Sequence, residues 1–465
     1  MDLNSCKYVY LIGIGGIGMS ALARYFKSKG LCVYGYDKNK SELSVDLEGE
    51  GMKIHYILSK QQIPKVIQNS FPEEILVVYT PAISKENLEY RFFYEKGCVL
   101  YKRAEILGMI SENKFTIAIA GTHGKTTTST ILAHILYQAG IKSTAFLGGI
   151  SKNYNSNLLL SEKDNLLIVE ADEYDRSFLY LKPDIAIITS LDSDHMDIYQ
   201  TKENMKEAYI QFCSGIKEKG ILLVEESINI DFNFLENISK FTYSSNNEAD
   251  FYANNIYVSE EKMKFNLVFR ENKLSDVCVK SNDISFILPG IHNVSNVVAA
   301  SAISFYLGLE LDNIEKGIES FKGVNRRFDI LINTNNLVFI DDYAHHPEEV
   351  KATIKATKNF FPNRDITVVF QPHLYSRTKN HADDFALALS LANQLILMEV
   401  YPARETPISG VNSEMLLSLC SNTNKEICSY KDLPELLKQK EIDVLLTLGA
   451  GDISNLVAPI KQILN

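Results

Sequence analysis

The seven residues Gly121-Thr122-His123-Gly124-Lys125-Thr126-Thr127 constrain this chain more than any other stretch. The apolar run Phe115–Ala120 before them reads as a buried parallel strand. The spacing of Ile131, Leu132, Ile135 and Leu136 after them reads as a helix. Strand, glycine turn, Lys-Thr and helix is the setting in which a phosphate loop forms. The two glycines let the backbone turn its N–H groups into one concavity at the positive end of the helix. There Lys125 neutralises a β/γ-phosphate and the Thr126 hydroxyl ligates Mg²⁺. The general pattern asks for a glycine where Ile119 stands. The expectation is a chain that uses ATP, with the remaining sequence supplying what ATP acts upon.

A second glycine-rich turn opens the chain. Lys7–Ile12 reads as a strand and runs into Gly13-Ile14-Gly15-Gly16-Ile17-Gly18. A helix pattern follows from Met19 to Lys29, then Gly30 and the strand Leu31–Tyr36. This βαβ opening puts GxGxxG at a helix N-terminus, where N–H groups and the helix dipole stabilise a diphosphate. Asp37, just beyond the second strand, is placed for a ribose hydroxyl. The motif alone says nucleotide diphosphate, with NAD as the default ligand and close helix–strand packing as the alternative. Ile75–Tyr79 is a further strand, and the polar turn Thr80-Pro81-Ala82-Ile83-Ser84 lies where a ligand crevice forms. His55 stands alone and reads as an ordinary surface or core histidine.

Further on, the strand Asn165–Val169 ends in Glu170-Ala171-Asp172-Glu173-Tyr174-Asp175. Acids at a strand end beside a phosphate loop are placed to hold Mg²⁺ directly or through water; taken alone, they are equally a solvated loop. Pro183–Thr189 leads to Asp192, Asp194, His195 and Asp197, where His195 is a metal ligand, a phosphate partner or a structural histidine. Residues 250–288 alternate like short antiparallel strands, and His292, Asn293 and Asn296 open a helix as caps or as groups facing a base. Arg326 and Arg327 mark a junction; Arg327 reaches a transferring phosphate or is a surface arginine. Four strand-like runs follow, Val338–Ile340, Ile366–Phe370, Leu395–Met398 and Val444–Leu448, each ending in polar residues. The adjacent His345 and His346 lie near an Asp pair, without the Cys/His spacing of a structural zinc site.

The fold expected is α/β in three domains. Residues 1–108 form a Rossmann-like domain, 109–323 a central P-loop ATPase-type domain, and 324–465 a second Rossmann-like domain. A net charge of −11 argues against nucleic acid or an anionic membrane as partner. Seven cysteines without a CxxC pair fit reduced thiols in a cytoplasm. No uninterrupted apolar run is long enough for a transmembrane helix. The apolar stretch Tyr8–Ala23 contains four glycines and lacks a signal-peptide cleavage site.

GTHGKTTT, EADEYDRSFL, DSDHMD, GIHNVSN, RRFD, DDYAHHP, FQPHLYSRT and GAGD stand in the order found in Mur ligases, and the chain resembles that family over essentially its whole length. The resemblance replaces the NAD default. It implies a first domain that binds the UDP part of a sugar nucleotide, a middle domain that binds ATP, and a third that closes over both. Within the family the chain is most similar to members that join L-alanine to UDP-N-acetylmuramate through an acyl phosphate, using ATP and Mg²⁺, in peptidoglycan precursor synthesis. A cytoplasmic monomer or homodimer is implied.

Carried onto this sequence, the resemblance gives Lys125, Arg327, His345 and Arg377 the catalytic roles. ATP falls to Gly121, Thr122, His123, Gly124, Lys125, Thr126 and Thr127, with His292, Asn293 and Asn296 on the adenine side, Arg327 on phosphate and Asp341 on ribose. The substrates fall to Gly15, Gly16, Ile17, Gly18, Asp37, Thr80 and Ala82 in the first domain and to Tyr343, His345 and Arg377 in the third. Thr126, Glu170 and His195 match the metal positions, and His345 or His346 is a candidate base for the amine. Leu374 stands where many relatives carry Arg, and Ser190 where Asn is common. Two rivals share these residues: a ligase that adds a preformed tripeptide to the same sugar nucleotide, and a non-catalytic nucleotide-sensing relative.

Overall fold

The structure, a computed structural model, describes residues 6–163, 165–192, 196–246, 249–270, 278–281, 283–403 and 405–465, so His195 lies outside the described residues. It divides into two compact units: Met1–Ala253 with Leu267–Ser281 and Ser295–Ser320, and Asn254–Asn266 with Asn282–Val294 and Phe321–Asn465.

The first unit opens with five parallel strands, β1 (Tyr8–Ile12), β2 (Cys32–Tyr36), β3 (Lys53–His55), β4 (Ile75–Tyr79) and β5 (Leu100–Lys102), in the order β3-β2-β1-β4-β5. The central β1 and β4 are apolar along nearly their whole length because helices cover both faces of such a sheet. Seven further strands follow: β6 (Phe115–Ala120), β7 (Thr144–Ser151), β8 (Ser156–Leu159), β9 (Leu166–Glu170), β10 (Ile185–Ile188), β11 (Ile221–Glu225) and β12 (Ser239–Ser244). They pair in the order β12-β11-β10-β6-β9-β7-β8, parallel except for the β7–β8 hairpin. The chain leaves β6 in one direction to β9 and in the other to β10. Such a reversal opens a crevice at the carboxyl end of β6.

The two sheets of this unit share a core. The helix Ile17–Ser28 after β1 carries Leu22, Tyr25 and Phe26 into it, and the Tyr25 ring lies 5.5 Å from that of Phe146 on β7. Burial of each such side chain contributes about 1.5–3 kcal/mol.

Residues 251–286 carry β13 (Phe251–Ser259), β14 (Lys262–Arg270), β15 (Cys278–Lys280) and β16 (Ile284–Phe286). β14 pairs antiparallel with both β15 and β16, in keeping with the alternating pattern of that stretch. In the second unit, β17 (Asp329–Asn333), β18 (Val338–Asp342), β19 (Ile366–Phe370), β20 (Gln394–Leu397), β21 (Asn424–Ile427) and β22 (Val444–Leu448) pair in the order β17-β18-β22-β19-β20-β21. Only the β17–β18 pair is antiparallel. Among the described residues no helix is long and apolar enough to cross a membrane.

On one face of the first sheet, His55 proves to be part of a buried polar cluster. The Tyr10 hydroxyl lies 2.8 Å from His55 Nε2 and 2.7 Å from Glu89 Oε2, and Glu89 is fully buried. His55 Nδ1 faces the Ile57 carbonyl at 3.1 Å, an acceptor only, so that nitrogen carries a proton. The Tyr10 hydroxyl donates to Glu89 Oε2, and His55 Nε2 itself lies 3.3 Å from Glu89 Oε1. Burial pushes the Glu89 carboxyl up to about 7, and burial pulls the His55 imidazole down.

A raised carboxyl stabilises the fold fully below its unfolded value and loses that contribution as pH rises through about 7. The lowered histidine has the opposite slope just below its own ordinary value. Between about pH 5 and about pH 8, wild type should therefore lose stability relative to Glu89→Gln, by at most about 3 kcal/mol. Urea unfolding midpoints at the two pH values measure this. Parallel slopes would show that the carboxyl is not the titrating group.

Candidate active site

β6 ends at Ala120, between Glu170 at the end of β9 and Thr189 just past β10. The turn that follows needs glycine at two points. Gly121 has φ +133°, and a Cβ there would lie 2.1 Å from Thr189 Oγ1 and 2.8 Å from Ser190 N. Gly124 has φ +83°, and a Cβ there would lie 2.5 Å from Asn296 Oδ1. The helix Lys125–Gln138 starts at once, aiming its first N–H groups at the turn.

Lys125 curls back over this loop. Its Nζ donates to the carbonyls of Gly121 (2.6 Å) and Thr122 (3.1 Å) and pairs with both carboxylate oxygens of Glu173, at 2.9 and 2.7 Å. Burial opposes the charge on Lys125, but the carboxylates of Glu173, Glu170 and Asp172 outweigh it and hold the ammonium above its ordinary value. Glu173 is 2% exposed. It is therefore the counter-ion of the phosphate-loop lysine, a role that the acidic run alone did not single out.

Next to it, Thr126 Oγ1 donates to Glu170 Oε2 at 2.8 Å. The Glu170 carboxylate occupies space that only a glycine leaves open: a Cβ on Gly148 would lie 2.0 Å from Oε2. A hydroxyl and a carboxylate side by side at a phosphate loop fit a hard divalent cation such as Mg²⁺. Among the described residues no group of three or more His, Cys, Asp or Glu could hold a metal alone. Mg²⁺ commonly takes water and substrate oxygens as further ligands.

The rest of the loop is braced from the β10 side. Thr122 Oγ1 donates to the Asp192 carbonyl (3.1 Å) and accepts from its N–H (2.9 Å). His123 N–H donates to Ser190 Oγ at 2.8 Å, and His123 Nε2 lies 3.6 Å from Asp192 Oδ2. Ser190, the position where Asn is common, thus shapes the loop through its hydroxyl. Thr127 is buried in the first helical turn. Asn296, on the helix Ile291–Tyr306, accepts from Thr128 Oγ1 at 3.1 Å and packs on the loop. Asn293, on the same helix, donates to the Pro289 carbonyl at 2.7 Å, and His292 is exposed.

The first glycine turn has its own geometry. Gly15 N–H donates to Asp37 Oδ2 (2.8 Å) and Asn39 N–H to Asp37 Oδ1 (3.0 Å), so Asp37 shapes the turn with part of its acceptor capacity. A Cβ on Gly13 would lie 2.5 Å from Thr80 Cγ2, one on Gly16 3.6 Å from the Gly13 carbonyl, and one on Gly18 3.0 Å from Arg103 Cδ. Ile17 and Ala82 are exposed. Arg103 in turn pairs with Asp172 at 3.3 Å, and Lys102 with Asp175 at 2.6 Å. One acidic segment therefore meets both the first-sheet cations and, through Glu173, the phosphate-loop lysine. Asp175 and Arg176 both sit at φ +54° within it, a costly conformation for residues with side chains.

In the second unit the guanidinium groups of Arg326 and Arg327 lie 5.2 and 5.1 Å from the Tyr343 ring centroid. Asp341 is buried, paired with Arg326 Nε at 3.1 Å and accepting from Thr447 Oγ1 at 2.7 Å. Asp342 accepts from the N–H groups of Phe328 and Ala344, both at 2.7 Å. Burial raises both carboxyls, Asp342 to about 6, against the pull of Arg326 on Asp341 and Arg327 on Asp342. The Tyr343 and His345 rings are 5.0 Å apart, and His345 Nδ1 lies 3.0 Å from the Tyr343 carbonyl. His373, after β19, has its ring 6.0 Å from that of His345. Arg377 lies on the short helix Tyr375–Asn380, whose preceding residue Leu374 has φ +70°.

Three family models match in succession: the Mur ligase family, catalytic domain, over residues 8–115; the Mur ligase middle domain over 119–304; and the Mur ligase, glutamate ligase domain over 326–451. The chain is 42% identical to the UDP-N-acetylmuramate–L-alanine ligase of Cytophaga hutchinsonii over 464 residues, covering 99% of the chain and 97% of the relative. It is 44% identical to the protein of that name from Parabacteroides distasonis, covering 100% and 98%. Among solved structures it is similar to the UDP-N-acetylmuramate-alanine ligase of Thermotoga maritima, with TM-score 0.80, 26% identity and 98% of each chain covered. A murein peptide ligase from Psychrobacter arcticus, at 22% identity and TM-score 0.75, shares the fold over 98% of each chain.

Proposed function

The chain belongs to the Mur ligase family, and from that premise we propose that it joins L-alanine to the carboxylate of UDP-N-acetylmuramate, converting ATP to ADP and phosphate. It is a ligase of peptidoglycan precursor synthesis, working in the cytoplasm. The observation that carries this reading is the ordered phosphate loop, with Lys125 on Glu173 and Thr126 on Glu170, in a chain alike over its full length to enzymes of that name.

The chemistry follows from the weakness of a carboxylate as acyl donor. A muramoyl carboxylate oxygen attacks the γ-phosphorus of ATP, the bond to the β-phosphate oxygen breaks, and ADP leaves. The alanine nitrogen then attacks the acyl carbon and phosphate departs with the C–O bond electrons. Lys125, once drawn from Glu173 to the phosphates, neutralises the charge in transfer, and Arg327 acts as a second clamp. Thr126 and Glu170 would hold Mg²⁺, which when bound adds charge neutralisation on the phosphates. Water kept out of the site preserves the acyl phosphate. His345 faces a carbonyl acceptor through Nδ1, so a neutral ring carries its lone pair on Nε2, the arrangement of a base for the amine proton.

The test is phosphate release with UDP-N-acetylmuramate, ATP and Mg²⁺, comparing L-alanine with a preformed tripeptide. Stimulation by L-alanine is expected. Stimulation by the tripeptide alone would identify the recycling reaction, and no phosphate release with either acceptor would identify a non-catalytic relative.

A further inference from the structure

We propose that Asn157, on β8 at the edge of the sheet that carries the phosphate loop, is a positioning residue for the sugar-nucleotide site of the first sheet. The inference rests on reading Gly15, Gly16 and Gly18 as the place of the diphosphate. The side chain of Asn157 is fully buried and its hydrogen-bonding capacity is spent on one helix. Nδ2 donates to the Ile17 carbonyl at 2.5 Å and to Ser20 Oγ at 2.9 Å, and Oδ1 accepts from Arg24 Nη1. Residues 17, 20 and 24 lie on one face of the helix Ile17–Ser28, which begins at the glycine turn. The amide therefore grips the helix by its first two turns, next to the N–H groups that would meet the diphosphate.

Apolar contacts already bind this helix to β7 and β8, through Tyr25 and Phe146 among others. Such contacts are non-directional and tolerate sliding. A buried amide costs desolvation unless every donor and acceptor is met, so it fixes one orientation and one register. Asn157 thus sets where the glycine turn stands relative to the phosphate loop, which emerges from the same sheet as β8. The helix residues do not depend on Asn157 for partners. Ser20 Oγ also donates to the Ile17 carbonyl at 2.8 Å, and Arg24 also pairs with Glu50 at 2.7 Å. Truncating Asn157 hence loosens the helix without orphaning a charge.

The test uses the full chain. Asn157→Ala should raise the KM for UDP-N-acetylmuramate about tenfold, with kcat and the KM for ATP within about twofold of wild type. Calorimetry with UDP should show the same loss of affinity. Asn157→Asp should also weaken UDP binding, because it sets a carboxylate oxygen against the Ile17 carbonyl. Ser20→Ala, which removes one partner, should give about a threefold rise. A folded Asn157→Ala with unchanged sugar-nucleotide KM, or with both KM values raised alike, overturns the proposal. If Asn157→Ala does not fold, Ser20→Ala decides by the same criteria. A wild type that binds UDP but shows no L-alanine-dependent turnover would overturn the proposed reaction alone, and the anchor would then stand or fall on UDP affinity. A wild type that binds no UDP overturns both.

Discussion

Lys125→Ala is expected to lower L-alanine-dependent phosphate release by about 10³–10⁵-fold, the range found when a cation is removed from a phosphoryl-transfer site. UDP-sugar binding, which the proposed reading assigns to a different sheet, should stay within about twofold. The difficulty in reading such a loss is folding. Glu173 is 2% exposed and Lys125 is its close cation, so deleting the lysine removes the cation paired with a buried carboxylate. That costs about 3–5 kcal/mol in comparable buried pairs, enough to unfold a marginal protein. The double variant Lys125→Ala/Glu173→Gln separates the two effects. It removes the carboxylate charge as well, so its unfolding midpoint should recover most of the loss while turnover stays absent. If the double variant turned over at near-normal rate, Lys125 would not be the phosphate cation and the assigned loop would be wrong. If neither stability nor turnover recovered, Glu173 would be needed beyond pairing the lysine.

The parts of this protein legible in its sequence are those whose physics is local. The phosphate loop could be placed because strand, glycines, lysine and helix are consecutive, and its turn has the two left-handed glycines that the pattern requires. The buried central strands β1, β4, β6, β10, β19 and β22 were visible as apolar runs. The short edge strands β3, β5, β17 and β21 were not: half-exposed runs of three to five residues carry too little pattern to separate from loops. The third sheet therefore has two more strands than the four runs suggested.

The first glycine turn is legible as a turn, but its residues alone do not name a ligand. The glycines and the helix N-terminus serve any nucleotide diphosphate, and only the ordered motifs displaced NAD. Contacts made across long stretches of chain left no trace at all. Asn157 meets partners 133 to 140 residues away, and His55 meets Tyr10 and Glu89 across 45 and 34 positions. Glu173 was visible as one acid among four, yet nothing local distinguished the one that turns to Lys125 from those that turn to Arg103 and Lys102.

Gly148→Ala should produce the second large effect, by a route in which the fold survives and the chemistry does not. The added Cβ would lie 2.0 Å from Glu170 Oε2, 2.5 Å from Cδ and 2.7 Å from Oε1. Real Cβ atoms do not approach so closely, so something must shift. What shifts is the end of a flexible side chain, not backbone. Gly148 is in ordinary strand conformation, and Glu170 can swing aside at little cost to stability. The contrast is Gly121, where the clash is with the backbone nitrogens of Thr189 and Ser190 and φ is +133°, so alanine there would distort the loop itself. In Gly148→Ala the Thr126 hydroxyl loses its acceptor, and the carboxylate leaves the place where the two oxygens stand together.

Turnover at limiting Mg²⁺ should fall about 10²-fold, in line with losses seen when a metal-site carboxylate is misplaced. The Mg²⁺ concentration for half-activation should rise by about the same factor, while the unfolding midpoint and UDP affinity stay near wild type. Saturating Mg²⁺ should restore part of the rate. Wild-type Mg²⁺ dependence in a folded Gly148→Ala protein would remove Glu170 from the metal site.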